Sequence, residues 1–218
     1  MKTSSFSTQI RSRAEVVGLP IDADLVERLE QYWTLLARWN ARVGLTGLPL
    51  RDLPDRSLDR LLIEPLVAAT FVDAGPLNWF DFGSGGGSPA IPLKIASPRA
   101  QLTLVESKVK KAAFLREALR HLQFSDAAVF CGRVEELPDR QSSSIVDLVT
   151  VRAVRIDSGL LKVASLLLGP SGKLLLLASS ATAGQRSSSF VAAGFQLMTQ
   201  VTLPTPGAVL QVLTKLGV

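Results

Sequence analysis

The chain has 218 residues, of which 47% are hydrophobic and one is cysteine, and its formal net charge is +5. This size and apolar content allow one full domain plus a small addition, while the single Cys131 excludes an internal disulfide framework. No apolar run reaches the roughly 18 residues of a membrane span, and the first residues lack a signal-peptide core. We therefore expect a cytoplasmic protein with no membrane partner.

The N-terminal third is predicted to be helical. Between residues 22 and 43, apolar side chains recur at spacings of three and four, and Asp22 can cap the start. This stripe includes Tyr32 and Trp39, whose rings we interpret as core packing rather than as nucleic-acid stacking platforms. A second helix is expected from about residue 55 to residue 71.

From residue 77 onward, apolar strand patterns alternate with helical ones, which is typical of an α/β fold with a mostly parallel sheet. We divide the chain into an N-terminal helical subdomain, residues 1–70, and an α/β domain, residues 71–218. The small, polar residues 179–189 are expected to form a mobile loop. Strands are predicted at residues 79–82, 101–105, 127–131, 145–151, 173–178, 195–202 and 209–214.

The most informative stretch is a glycine loop directly after the first strand. Four glycines fall within residues 83–87, and Ser88 is predicted to cap the helix that follows. Glu106 ends the second strand about 20 residues later, where a ribose-binding carboxylate is expected. Loop and acid together predict a nucleotide or nucleoside-like cofactor. Asp81 just before the loop favours S-adenosylmethionine over a dinucleotide, since it makes the loop resemble motif I of the S-adenosylmethionine-dependent methyltransferases.

A basic helix is expected to follow Glu106, from residue 108 to residue 122. Because it begins beside the cofactor strand, its basic residues are predicted to contact RNA phosphates at the mouth of the crevice, and the alternative is an ordinary solvated face. The excess of six basic over two acidic side chains in residues 141–218 also favours a polyanionic partner. The predicted RNA-binding residues are Lys108, Lys110, Lys111 and Arg116.

Several stretches together resemble one family, that of glucose-inhibited division protein B, the bacterial 16S ribosomal RNA guanine-N7 methyltransferases. The resemblance runs from about residue 20 to the C-terminus. It rests on a WN…NLT-like stretch, the glycine loop with both of its prolines, a D-S-x-x-K-[RK]-x-x-F-L-like stretch and two later motifs, at residues 39–46, 83–93, 106–115, 133–136 and 152–153.

The resemblance implies a class I, Rossmann-like S-adenosylmethionine-dependent methyltransferase sheet carrying an N-terminal helical subdomain. It implies that the enzyme methylates N7 of a guanine of small-subunit ribosomal RNA. We also expect a monomer that binds no metal. Arg152 is placed beside the cofactor and the incoming base, as the candidate catalytic residue. The implied cofactor contacts are Gly83, Ser84, Gly85 and Ser88 along the methionine and ribose, Glu106 on the ribose, and Val134 and Glu135 beside the adenine.

The chain departs from the family pattern mainly at positions that face the RNA. These departures leave two alternatives open, a methyltransferase that acts on another RNA or a small molecule, and a cofactor-binding protein of the same fold without turnover. For Arg152, the alternative to a role at the base is a structural salt bridge with Asp147 or Asp81. The departing residues are Leu61, Glu64, Pro65, Ala90, Val151, Ala178 and Ser179.

Overall fold

The computed structural model describes residues 5–140, 145–183 and 187–216. Its N-terminal part consists of α1 (Ser5–Val16), α2 (Ala23–Val43), α3 (Asp55–Leu58) and α4 (Glu64–Ala69), with a π-helical turn over Asp59–Ile63 joining the last two. Both predicted helices are therefore confirmed. None of the helices in the described ranges has the length and apolar character needed to cross a membrane.

Local sequence signals explain the limits of α2. Asp22 accepts a hydrogen bond from the Leu25 amide at 2.8 Å, as expected for an N-cap. Gly44 ends the helix in the left-handed conformation, with φ at 65°, which costs glycine little. Helix α1 was not predicted, because its buried side consists only of Phe6, Ile10 and Ala14.

Seven strands form one sheet in the order β3-β2-β1-β4-β5-β7-β6. Neighbouring strands from β3 to β5 run parallel, and β7 is antiparallel to both β5 and β6, so the expected mostly parallel sheet is confirmed. The strand order reverses between β1 and β4, and such a switch point opens a crevice at the carboxyl ends of the strands. The strands are β1 (Leu77–Phe82), β2 (Ala100–Val105), β3 (Ala127–Phe130), β4 (Val146–Arg152), β5 (Leu168–Ser179), β6 (Phe195–Thr202) and β7 (Ala208–Lys215).

The two faces of the sheet carry different helices. On one face, a continuous buried cluster joins the N-terminal helices with α5 (Ala90–Ala96), α6 (Val109–His121) and the sheet. On the other face, α8 (Ser158–Leu167) packs over a second cluster. The N-terminal helices thus share their core with the α/β part, and the division near residue 70 remains our proposal. The other helical segments are a 3₁₀ turn (Val134–Glu136), α7 (Leu137–Arg140), α9 (Ser180–Ala183) and α10 (Ser187–Ala192).

Two local predictions were wrong. Ser88 does not cap the helix after the glycine loop, because α5 begins at Ala90 with Pro89 in the N-cap position, and the Ser88 hydroxyl instead donates to the Leu61 carbonyl at 2.6 Å. The described part of residues 179–189 is not a loop but contributes to α9 and α10, which the buried Ala183 and Phe190 anchor to the core. Residues 184–186 of that prediction lie outside the described residues.

Candidate functional site

A cavity of about 330 Å³ opens at the carboxyl edge of the sheet, between the glycine loop and the N-terminal helices. Its volume is within the range of small-molecule and cofactor sites. The α/β part supplies one wall, with Gly83, Ser84, Gly85, Gly86, Ser88, Glu106, Lys111, Arg152 and Ala153. The N-terminal part supplies the other, with Leu36, Leu45, Thr46, Gly47, Leu48, Arg60 and Leu61.

The glycine loop needs its glycines. Gly83, Gly85 and Gly87 have φ values of 71°, 54° and 88°, in the left-handed region that other residues enter only with strain. A Cβ on Gly87 would lie 2.5 Å from the Ile91 Cδ1 atom, inside van der Waals contact. At Gly85 the nearest atom to such a Cβ would be the Gly83 oxygen, at 3.7 Å, and Gly85 lines the cavity. A ligand can therefore approach the bare backbone at Gly85.

Glu106 joins the glycine loop to the start of α6. The residue is only 6% exposed, and its Oε2 accepts from the Gly85 amide at 2.9 Å while its Oε1 accepts from the Lys108 amide at 2.7 Å. An ionised carboxylate can accept about four hydrogen bonds, so two positions remain for donors in the cavity. This arrangement fits the pair of hydroxyls of a ribose.

Buried polar side chains of β1 and β4 form a chain of hydrogen bonds next to the glycine loop. The Trp79 indole donates to the Thr150 hydroxyl at 2.9 Å, and that hydroxyl donates to Asp81 Oδ1 at 2.5 Å. The other carboxylate oxygen, Oδ2, has no hydrogen-bond partner among the described residues, and Asp81 is 1% exposed. Burial raises the pKa of Asp81 to about 6, although the Thr150 hydrogen bond and the nearby Arg152 both oppose the rise.

Arg152 lies at the end of β4, against the N-terminal helices. Its Nη1 donates to the Arg60 carbonyl and lies 3.9 Å from Glu64 Oε2, which also accepts from the Arg60 guanidinium at 2.8 Å. Burial lowers the pKa of Arg152 to about 10, and Arg60 adds to this effect while Glu64 opposes it. Arg152 therefore still carries its charge near neutral pH.

The ion-pair partner of Arg152 was not among those considered from the sequence. It is Glu64, whose carboxylate is fully buried and whose Oε1 has no hydrogen-bond partner within the described ranges. Burial raises the pKa of Glu64, and Arg60 is the strongest opposing influence. Asp147 is engaged elsewhere, since it accepts from the Asn78 amide at the other end of the sheet.

The two predicted adenine contacts lie outside the lining of the cavity. Val134 and Glu135 form part of the 3₁₀ turn after β3, where Val134 is half-buried and Glu135 exposed, and neither lines the cavity.

The predicted basic residues lie on or just before α6. Lys111 is half-buried and lines the cavity, while Lys108, at the N-cap of α6, and Lys110 are exposed beside it. Arg116 is exposed further along the helix.

Sequence reasoning missed several residues of the N-terminal wall. Leu45 and Thr46 line the cavity, and the Thr46 amide donates to the Asn40 side chain at 2.8 Å. Both belong to the WN…NLT-like stretch, which was recognised as a motif without a role. Arg60, which also lines the cavity, lies in the π-helical turn, and its position in the predicted helix over residues 55–71 gave no functional signal.

Comparison with known proteins identifies a family, and named proteins in it, whose sequences match most of this chain. The profile of the GidB family, described as rRNA small subunit methyltransferase G, matches residues 25–202. A protein of Stenotrophomonas maltophilia (strain K279a) named ribosomal RNA small subunit methyltransferase G is 38% identical over 192 residues, covering 88% of this chain and 86% of the relative. A Xanthomonas campestris pv. campestris (strain B100) protein of the same name is 41% identical over 157 residues, 72% and 70% of the two chains.

Solved structures with lower sequence identity share the fold. A SAM-dependent methyltransferase from Aquifex aeolicus superposes with a TM-score of 0.60 at 13% identity, covering 74% of this chain and 93% of that one. A ribosomal protein L11 methylase from Lactobacillus delbrueckii subsp. bulgaricus superposes with a TM-score of 0.58 at 13% identity, covering 70% and 77%. The sheet is thus of the class I, Rossmann-like methyltransferase type.

Proposed function

This chain belongs to the GidB family of rRNA small subunit methyltransferases, and we propose that it methylates N7 of a guanine in 16S ribosomal RNA. Its cofactor is S-adenosylmethionine. One observation carries the proposal: the family match covers residues 25–202, and the residues of both cavity walls fall within that range. That match includes the glycine loop, Glu106 and Arg152.

The residues present fit the cofactor. Gly83, Ser84, Gly85 and Ser88 would lie along its methionine and ribose, and Glu106 would accept from the ribose hydroxyls with its two remaining acceptor positions. The open backbone at Gly85 supports this assignment, because a side chain there would occupy the space of the ligand. We retain Val134 and Glu135 as the proposed adenine contacts on the strength of the family resemblance.

The reaction asks little acid–base chemistry of the protein. Bound S-adenosylmethionine supplies an activated methyl group on a positively charged sulfur, and guanine N7 has a free lone pair. The chain has to hold the base in line and exclude water, which is catalysis by positioning. Arg152 is proposed to take part in holding the base, since this residue lines the cavity and its guanidinium is held by the Arg60 carbonyl and by Glu64.

The RNA is proposed to approach across the start of α6. Lys108 and Lys110 are exposed beside the cavity, Lys111 forms part of its wall, and Arg116 extends the basic surface along the helix. Phosphate contacts of this kind provide affinity without reading the sequence. We also propose that the enzyme acts as a monomer in the cytoplasm.

The decisive test is methyl transfer to small ribosomal subunits from cells that lack this gene. Purified protein and labelled S-adenosylmethionine are incubated with intact subunits and with free 16S RNA, and N7-methylguanine is mapped by strand cleavage at the modified base. A single labelled guanine is the expected result. Label at another atom or in another RNA would replace the proposed target, and cofactor binding without any transfer would favour a binding protein.

A further inference from the structure

The hydroxyl of Tyr32 forms a hydrogen bond with the glycine loop. Its side chain, on α2, is fully buried, and the hydroxyl donates to the Gly86 carbonyl at 2.7 Å. Burial raises the pKa of Tyr32, so the phenol keeps its proton and remains a donor at every pH of interest. The helical spacing explained the ring as part of the core, but packing alone would be satisfied by phenylalanine.

The bond fixes a peptide unit at the centre of the loop. The carbonyl of the Gly86–Gly87 peptide is held by Tyr32, and its N–H donates to the Ser84 carbonyl at 2.7 Å. A Cβ on Gly86 would lie 3.3 Å from the Leu45 carbonyl and 3.4 Å from Leu36 Cδ1, so the loop packs directly against the N-terminal wall. Both sides of this peptide are therefore held.

A second bond connects the same two parts of the chain. The Ser88 hydroxyl donates to the Leu61 carbonyl at 2.6 Å, just before α5 begins. Tyr32 and Ser88 thus attach the loop to α2 and to the π-helical turn, respectively. Because a chain of glycines has many conformations, a loop without these bonds must be ordered by the ligand, at the expense of affinity.

We propose that Tyr32 is a positioning residue for the cofactor loop, and that cofactor affinity depends through it on the docking of the N-terminal helices. This inference rests on the proposed function, since it takes the cavity as the cofactor site. By reciprocity, a bound cofactor stabilises the docked position of α2. Loss of one hydrogen bond from a buried hydroxyl to a neutral carbonyl should weaken cofactor affinity roughly three- to tenfold.

The test compares Tyr32→Phe with a matched control, Ser57→Ala. The Ser57 hydroxyl is also fully buried in the N-terminal helices and donates to a carbonyl, that of Pro49, at 2.6 Å, but Ser57 does not line the cavity. Titration calorimetry with S-adenosylhomocysteine should show a dissociation constant raised roughly three- to tenfold for Tyr32→Phe and unchanged for Ser57→Ala. In steady state the KM for S-adenosylmethionine should rise for Tyr32→Phe, with kcat retained at saturation.

Hydrogen exchange tests the reciprocal effect. S-adenosylhomocysteine should slow amide exchange in the C-terminal half of α2 in the wild type, and less so in Tyr32→Phe. Unchanged affinity in a folded Tyr32→Phe protein, or an equal loss in Ser57→Ala, overturns the inference. Should Tyr32→Phe fail to fold, the wild type decides: if S-adenosylhomocysteine binds but leaves amide exchange in α2 unchanged, the inference is overturned. A wild type that binds no S-adenosylhomocysteine overturns the proposed function itself.

Discussion

Replacing Asp81 by asparagine tests how much a buried carboxylate beneath the glycine loop reduces stability. The asparagine side chain would keep an oxygen that accepts from the Thr150 hydroxyl. The amide nitrogen that replaces Oδ2 does not ionise, so the side chain stays neutral at every pH of the experiment. The substitution therefore removes the titration of one group and leaves its volume and one hydrogen bond in place.

The magnitude follows from the pKa of Asp81, which burial raises from 3.8 to about 6. Since the folded state binds this proton more tightly than the unfolded state, the stabilisation is fully present below pH 3.8 and is lost as the pH rises through 6. At about 1.4 kcal/mol for each unit between the two pKa values, the ionised carboxylate costs the fold about 3 kcal/mol. About 2 kcal/mol of this falls between roughly pH 4.5 and 7.5.

Urea unfolding of both proteins at several pH values between about 4.5 and 7.5 provides the measurement. The free energy of unfolding of Asp81→Asn minus that of the wild type should rise by about 2 kcal/mol across this range. Asp147→Asn, which removes an exposed carboxylate from the start of β4, is the control for the loss of one negative charge. Parallel pH profiles for the wild type and Asp81→Asn would refute the reasoning.

The other predictions concern the ligands. Glu106→Ala should weaken S-adenosylhomocysteine binding by about 1.5–3 kcal/mol in calorimetry, the scale of a hydrogen bond to a charged group, and unchanged affinity would remove Glu106 from the ribose role. Reversing Lys110 and Lys111 to glutamate should reduce RNA affinity and flatten its salt dependence by roughly one unit of slope per lost phosphate contact, whereas Arg120→Glu, at the far end of α6, should not. Arg152→Ala should slow single-turnover methylation by about 10² while changing cofactor affinity much less, and a parallel fall of rate and affinity would limit Arg152 to cofactor binding.

The sequence by itself determined the elements whose signals are local. The 3.6-residue periodicity and the Asp22 cap predicted α2, and alternating apolar runs predicted the sheet. The glycine loop and Glu106 were predicted to form a cofactor site because glycines that can take positive φ values and a carboxylate at a strand end are properties of short stretches. The structure brings them into contact, at 2.9 Å between the Gly85 amide and Glu106.

Only the tertiary structure decided which side chains complete the site. Ser88 bonds Leu61, 27 residues away, and Tyr32 bonds Gly86, 54 residues away. Arg152 bonds the carbonyl of Arg60, 92 residues away. No spacing rule predicts such pairs, because they form when α2 and the π-helical turn dock on the loop, and the free energy of docking comes from apolar burial spread over the whole core. The partners of the polar groups follow from that docking. The sequence therefore predicted Tyr32 as a core residue but did not indicate the bond of its hydroxyl to Gly86.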